Sequence, residues 1–154
     1  MKVYLDNCAY NRPFDDQGQM RIYLETQAKL YIQKLIYDGR LLLAVSYMSR
    51  YENGNTPYTK NRITIERFFE NAATFIDIDK AERIENKSYD IMRCGVKAKD
   101  ALHISCAIEA GCDYFITTDD GILKKLKNSD ITICSPVEFI NIWEDFLCTP
   151  QQPL

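Results

Sequence analysis

Short runs of β-forming residues alternate along this chain with longer stretches whose apolar residues recur at helical spacing, and that alternation limits the fold more than any other feature. Lys2–Leu5, Leu41–Ser46, Ala73–Ile78, Asp113–Thr118 and Ile131–Cys134 read as strands. Leu41–Val45 is apolar throughout, the pattern of a strand covered on both faces. Between the strands, helices are predicted over 19–38, 47–52, 61–71, 79–93, 97–110, 120–126 and 136–146. In the first of these Met20, Leu24, Ala28, Tyr31 and Leu35 fall on one face. Gly39, Gly95 and Gly111 are natural stops, Pro136 is a natural start, and Pro13 marks the stretch 11–16 as a loop. No repeat, linker or shift in composition interrupts the series. The expectation is one α/β domain over residues 1–147, a parallel sheet of four to five strands with helices on both faces, followed by a flexible tail at 148–154.

Composition narrows the function. A net charge of −3 argues against a protein that coats nucleic acid by bulk positive charge, yet leaves room for an enzyme that grips a few phosphates locally. The longest apolar run is far below the roughly 20 residues of a membrane span, and the N-terminus enters a strand directly, so a cytoplasmic protein without membrane contact is expected. Cys8, Cys94, Cys106, Cys112, Cys134 and Cys148 include no CxxC and sit mostly in apolar segments, as free buried thiols of a reducing compartment would. His103 is the only histidine, which rules out a multi-histidine zinc site. Neither GxGxxG nor GxxxxGK[ST] occurs, so dinucleotide and P-loop readings lack their phosphate cradle, and no nucleophile motif supports a Ser-His-Asp site.

In a parallel sheet, functional groups gather beyond the carboxyl ends of the strands. Asp6 directly ends the first strand, and Asp119 ends the strand before it in the same way. Glu52 follows the strand ending at Ser46 by a turn or two of helix, and Asp100 lies in the first turn of the clearest helix. Each has an ordinary explanation: a turn former at Asp6, a solvated helix residue at Glu52, a first-turn acid at Asp100, an N-cap at Asp119 or Asp120. Together, four carboxylates converging on one sheet edge would repel each other unless a cation shared the site. Oxygen-only ligands favour Mg²⁺ or Mn²⁺ over Zn²⁺, and metal-assisted phosphodiester hydrolysis is the chemistry that suits them.

The block Lys99-Asp-Ala-Leu-His through Phe115-Ile-Thr-Thr-Asp-Asp120 resembles the second half of a PIN domain, in which an Asp-Ala-Leu-His-like helix precedes a strand ending in Thr-x-Asp. Val3-Tyr-Leu-Asp6 with Asn7 resembles that family's opening strand and first metal-binding aspartate. Leu5-Asp-Asn-Cys8 and Asn11-Arg-Pro-Phe-Asp-Asp-Gln17 are similar to a bacterial, VapC-like branch. The likeness runs from residue 2 to about 146. It implies a Rossmann-like three-layer PIN fold, with Asp6, Glu52, Asp100 and Asp119 as the catalytic, metal-binding acids, and Asn7, Thr117 and Asp120 supporting them. It also implies a Mg²⁺/Mn²⁺-dependent endoribonuclease on single-stranded or loop RNA, the toxin of a type II toxin–antitoxin pair, with an antitoxin protein and a homodimer as partners. Family members commonly carry a small hydroxyl residue where Asn7 stands and a polar one at Cys8.

Other residues admit both functional and structural roles. His103, three residues after Asp100, is placed to orient that carboxylate rather than to act as a base. Arg12, Arg50, Lys97, Lys99, Lys124 and Lys125 flank the acids and are candidates for phosphate contacts, though single surface cations are more often simply solvated. Tyr10, Phe14 and Tyr51 are candidates for base stacking or for packing, and Tyr23, Tyr31 and Tyr37 for packing. Two other classes of function stay open. A catalytically inactive PIN-fold module binding RNA or protein is kept alive by Asn7-Cys8. A phospho-acceptor switch would want an acidic pair after the first strand, where only Asp6 stands.

Overall fold

The structure is a computed structural model and describes residues 1–127 and 130–149. Within them β1 (Lys2–Leu5), β2 (Leu42–Ser46), β3 (Ala72–Ile76), β4 (Tyr114–Ile116) and β5 (Thr132–Cys134) form one wholly parallel sheet in the order β3-β2-β1-β4-β5. Eight α-helices connect or flank the strands: α1 (Asn7–Asn11), α2 (Met20–Tyr37), α3 (Tyr47–Gly54), α4 (Thr59–Phe69), α5 (Ala81–Met92), α6 (Ala98–Glu109), α7 (Asp120–Lys125) and α8 (Pro136–Cys148). The result is a three-layer α/β fold of the Rossmann-like kind.

Period-two alternation along the strands divides the core. Val3, Leu5, Leu43, Val45, Ile116 and Cys134 face one way, against Ile32, Leu35 and Ile36 of α2, Ile65 and Phe68 of α4, and Phe139 and Trp143 of α8. Tyr4, Ala44 and Phe115 face the other, against Ile84 and Ile91 of α5 and Ala101, Ile104 and Ala107 of α6. Crossovers from β1 to β2 to β3 build one half of the sheet and those through β4 and β5 the other. The direction of winding therefore reverses between β1 and β4, where a crevice opens at the carboxyl edge.

Several expectations change in detail. The stretch after β1 is helical rather than loop: Asp6 caps α1 by accepting from Asn7 N–H, and a 3-10 turn at Arg12–Phe14 absorbs Pro13. β4 stops at Ile116, because the Thr118 N–H bonds Cys8 Sγ and the Asp119 N–H bonds Thr117 Oγ1 instead of continuing the ladder. Helix α2 forms where predicted but buries a different face. Glu25, Thr26, Lys29, Ile32 and Ile36 are inside with Ala28 and Leu35, while Met20, Leu24 and Tyr31 are exposed. Tyr23 and Tyr37 are also exposed. All six cysteines are unpaired, but only Cys106, Cys112 and Cys134 are buried; Cys94 and Cys148 lie on the surface. Gly39 and Gly111 end their helices at φ of 70° and 68°, a conformation that a side chain would strain. Helix α8 runs to Cys148 with Thr149 as its C-cap, and the rest of the expected tail, 150–154, lies outside the described residues. Among the described residues no helix is long and apolar enough to cross a membrane.

Candidate metal centre at the carboxyl edge of the sheet

Register brings the first and last of the acids together. Leu5 pairs with Ile116, so Asp6 emerges beside Thr117, and Asp119 follows two residues later. Glu52 arrives on α3, which leaves the neighbouring strand β2, and Asp100 arrives on the first turn of α6. All four carboxylates line one cleft of about 460 Å³, together with Asn7, Asn11, Asn55, Tyr58 and Lys99. Asp100 and Asp119 also border a smaller cleft of about 150 Å³ on the side of Lys97 and Lys125.

The four acids are held in different ways. Asp6 is buried, its Oδ2 accepting from the Thr117 hydroxyl at 2.8 Å and the Cys8 thiol at 3.2 Å, its Oδ1 from Asn7 N–H at 2.8 Å. The same Thr117 oxygen accepts from Asp119 N–H at 3.1 Å, tying the ends of β1 and β4 together. Asp119 caps α7, its Oδ1 2.6 Å from Gly121 N. A Cβ at Gly121 would stand 2.9 Å from that oxygen, so the glycine permits the contact. Asp100 has no hydrogen-bond partner among the described residues. Burial raises its carboxyl above the ordinary value, the charges of Asp6, Asp119 and Glu52 raise it further, and His103 opposes them.

Glu52 is the best supported. Its Oε1 lies 2.6 Å from His103 Nε2, while His103 Nδ1 lies 2.7 Å from the Tyr4 hydroxyl, which also contacts Ser46 and Ser49 Oγ at 2.7 and 2.9 Å. Burial acts against its ionised form. The His103 hydrogen bond and charge and the Lys99 ammonium at 3.6 Å outweigh it, holding the carboxyl below its usual value. His103 thus orients Glu52 and not Asp100: side chains one turn apart on α6 diverge, because the histidine points into the α5/α6 core and meets Tyr4. The local sequence around His103 carries no sign of this partner, which is 51 residues away. Burial, reinforced by the charge of Asp6, pushes the Cys8 thiol up to about 12 against the Thr117 and Thr118 hydrogen bonds, so it sits in the site as an unreactive neutral donor.

The remaining candidates separate by environment. Asn7 lines the cleft and accepts from Asn11 Nδ2. Asp120 does not line it; it forms a two-bond pair with Arg21, both contacts at 2.8 Å. Arg12 is committed to Glu25 and Asp15, and Arg50 pairs with Glu66 and lies 4.4 Å above the Phe75 ring. Lys97, Lys99 and Lys124 remain exposed. Tyr10 is buried against Phe68 and Phe69 and is closed to a base, whereas Phe14 and Tyr51 are exposed. Tyr58, unremarked in the sequence, lines the cleft mouth at 70% exposure.

The donor set of four carboxylate oxygen donors suits a hard divalent cation. The unrelieved charge on Asp100 is the clearest local reason for one. Among the described residues, however, no three His, Cys, Asp or Glu side chains stand at metal-ligating separations, so coordination would require side-chain movement across the cleft. Fold and site together define a three-layer α/β domain with an acidic cleft at its winding reversal. No known family model matches the chain, and no curated protein matches its sequence significantly.

Proposed function

We propose that the chain is a Mg²⁺- or Mn²⁺-dependent endoribonuclease of the PIN-domain class, with Asp6, Glu52, Asp100 and Asp119 as its metal-binding acids. The observation that carries this reading is the convergence of these four residues, from β1, α3, α6 and the end of β4, on one cleft where burial and mutual repulsion raise the Asp100 carboxyl. A bound hard cation would supply a polarised phosphate and a more acidic water. The chain's own residues do the positioning. His103 and Tyr4 fix the Glu52 carboxylate, Thr117 fixes Asp6, and Gly121 N–H fixes Asp119. Lys99, whose ammonium also faces Glu52 at 3.6 Å, is a cation on the cleft wall that would meet a backbone phosphate, with Lys97 beside the smaller cleft. Cytoplasmic action as the toxin of a toxin–antitoxin pair, restrained by an antitoxin protein and acting as a homodimer, extends the same proposal.

A second reading is favoured by specific observations: Asp6 already accepts from three donors, and among the described residues the acids are not gathered at ligating distance. On that reading the domain binds RNA or a protein partner without turnover. Incubating a mixed RNA pool with the protein and Mn²⁺, with EDTA, and with Asp100→Asn under Mn²⁺ separates the two. Cleavage lost at least about 100-fold in both controls is expected. Binding of RNA by wild type with no cleavage under Mn²⁺ would replace the nuclease reading with the binding module.

A further inference from the structure

Lys29 is a buried charge with no counter-charge among the described residues. The residue is 5% exposed, and no carboxylate approaches its ammonium group within ion-pair distance among the described residues. Among the described residues its one hydrogen-bond acceptor is the neutral Gln33 Oε1 at 2.7 Å, and its Nζ lies 5.9 and 5.6 Å from the ring centres of Tyr10 and Phe68. Buried ammonium groups ordinarily have an anion or several acceptors. Here the other two N–H donors have no acceptor among the described residues. The Tyr10 hydroxyl is also buried without a partner, and burial keeps it protonated. Tyr10 and Lys29 line the same cavity of about 170 Å³, together with Phe14, Leu30, Gln33 and Phe68. Each of these unmet groups can donate, in a space whose remaining wall is mostly apolar.

We propose that this cavity, between α2, α4 and the 3-10 turn at Arg12–Phe14, is a binding site for a small carboxylate on an aromatic or branched aliphatic body. The carboxylate would accept from Lys29 Nζ, and its body would lie against Phe14, Leu30 and Phe68. Size sets the class: an apolar cavity of about 150 Å³ takes a benzene ring, so the ligand has about six to nine non-hydrogen atoms. Lys29 is separate from the acidic cleft, whose lining it does not share, so the site stands whether or not the nuclease reading does.

The test uses the intact chain with benzoate and isovalerate as probes and benzamide as the uncharged counterpart. Binding is followed by the shift of the thermal midpoint and by amide proton–nitrogen NMR. The expected result is saturable binding of at least one acid, about ten-fold or more tighter than benzamide. Amide shifts should centre on residues 10, 29, 33 and 64–68, and Lys29→Met should abolish the preference for charge. The comparison of acid with amide on wild-type protein needs no variant. No saturable response to either acid at tens of millimolar would overturn the proposal. So would equal binding of benzamide, shifts centred on the acidic cleft, or a folded Lys29→Met protein that binds the acids unchanged.

Discussion

A half-buried carboxylate without a hydrogen-bond donor is costly to keep charged, and Asp100 is such a group, facing Asp6, Asp119 and Glu52. Its folded-state pKa is raised, so the native protein binds its proton more tightly than the unfolded chain, and stability falls as pH rises through that window. Asp100→Asn is therefore expected to be more stable than wild type at neutral pH, by about 1 kcal/mol or less given its partial exposure. The gain should vanish near about pH 3, where both states are protonated; urea titrations at the two pH values check it. His103 behaves oppositely. It is fully buried with both ring nitrogens engaged, so His103→Ala opens a cavity and takes one hydrogen bond from Glu52 and one from the Tyr4 hydroxyl. A loss of about 3 kcal/mol in urea denaturation is expected. The acids themselves were legible as residues: each stood at a strand end, on a helix after a strand, or in a first helical turn. The partner of His103 was not legible, since helical spacing names the residues that share a face and says nothing about what another strand brings to it.

Among the elements, α8 is an example in which local chemistry suffices. Ser135 Oγ accepts from Glu138 N–H at 3.1 Å while Glu138 Oε2 accepts from Ser135 N–H at 2.7 Å, and Pro136 opens the helix, so its start could be read directly from the sequence. Ser135→Ala should lower the thermal unfolding free energy by about 1 kcal/mol and leave the acidic cleft untouched. Helix α2 is the contrasting example. Its apolar positions predicted a helix correctly, but the face it buries is decided by neighbours distant in sequence. Glu25 is drawn in by Arg12 and Arg21, at 2.6 and 2.9 Å, and Lys29 by the rings of Tyr10 and Phe68. Met20, Leu24 and Tyr31 are left facing solvent as a consequence. The short helix α1 was missed for a related reason. Five residues hold too few turns to show a period, and an aspartate after a strand marks a turn as readily as a helix cap.

At the scale of the whole molecule, Lys29 links packing to pH. Burial lowers its pKa to about 8 from an ordinary value of 10.5. Below about 8 both folded and unfolded chains carry the charge; between there and 10.5 the unfolded chain holds more protons, so this group's contribution to stability rises with pH. The full rise is about 3 kcal/mol. Buried thiols act against it, because Cys106, Cys112 and Cys134 are pushed up to about 12 and favour the unfolded thiolate in alkali. The lysine's contribution is therefore read as a difference. Lys29→Met should exceed wild type in stability near neutrality, and the gap should narrow as pH rises from about 8 to 10.5 in parallel urea titrations.

By itself the sequence determined the order and kind of most elements, and hence a parallel three-layer fold, because hydrophobic period and turn residues are local properties that survive tertiary context. It also singled out Asp6, Glu52, Asp100 and Asp119, since a strand end, the helix after a strand and a first helical turn are places in the chain before they are places in space. Only the tertiary structure decided that β1 and β4 lie side by side, so that Thr117 bridges Asp6 and Asp119. It alone decided that His103 serves Glu52, that Tyr58 stands at the cleft mouth, and that α2 turns Lys29 inward to a cavity lined by no carboxylate among the described residues. These are relations between residues tens of positions apart. They follow from register and packing, which no single segment encodes.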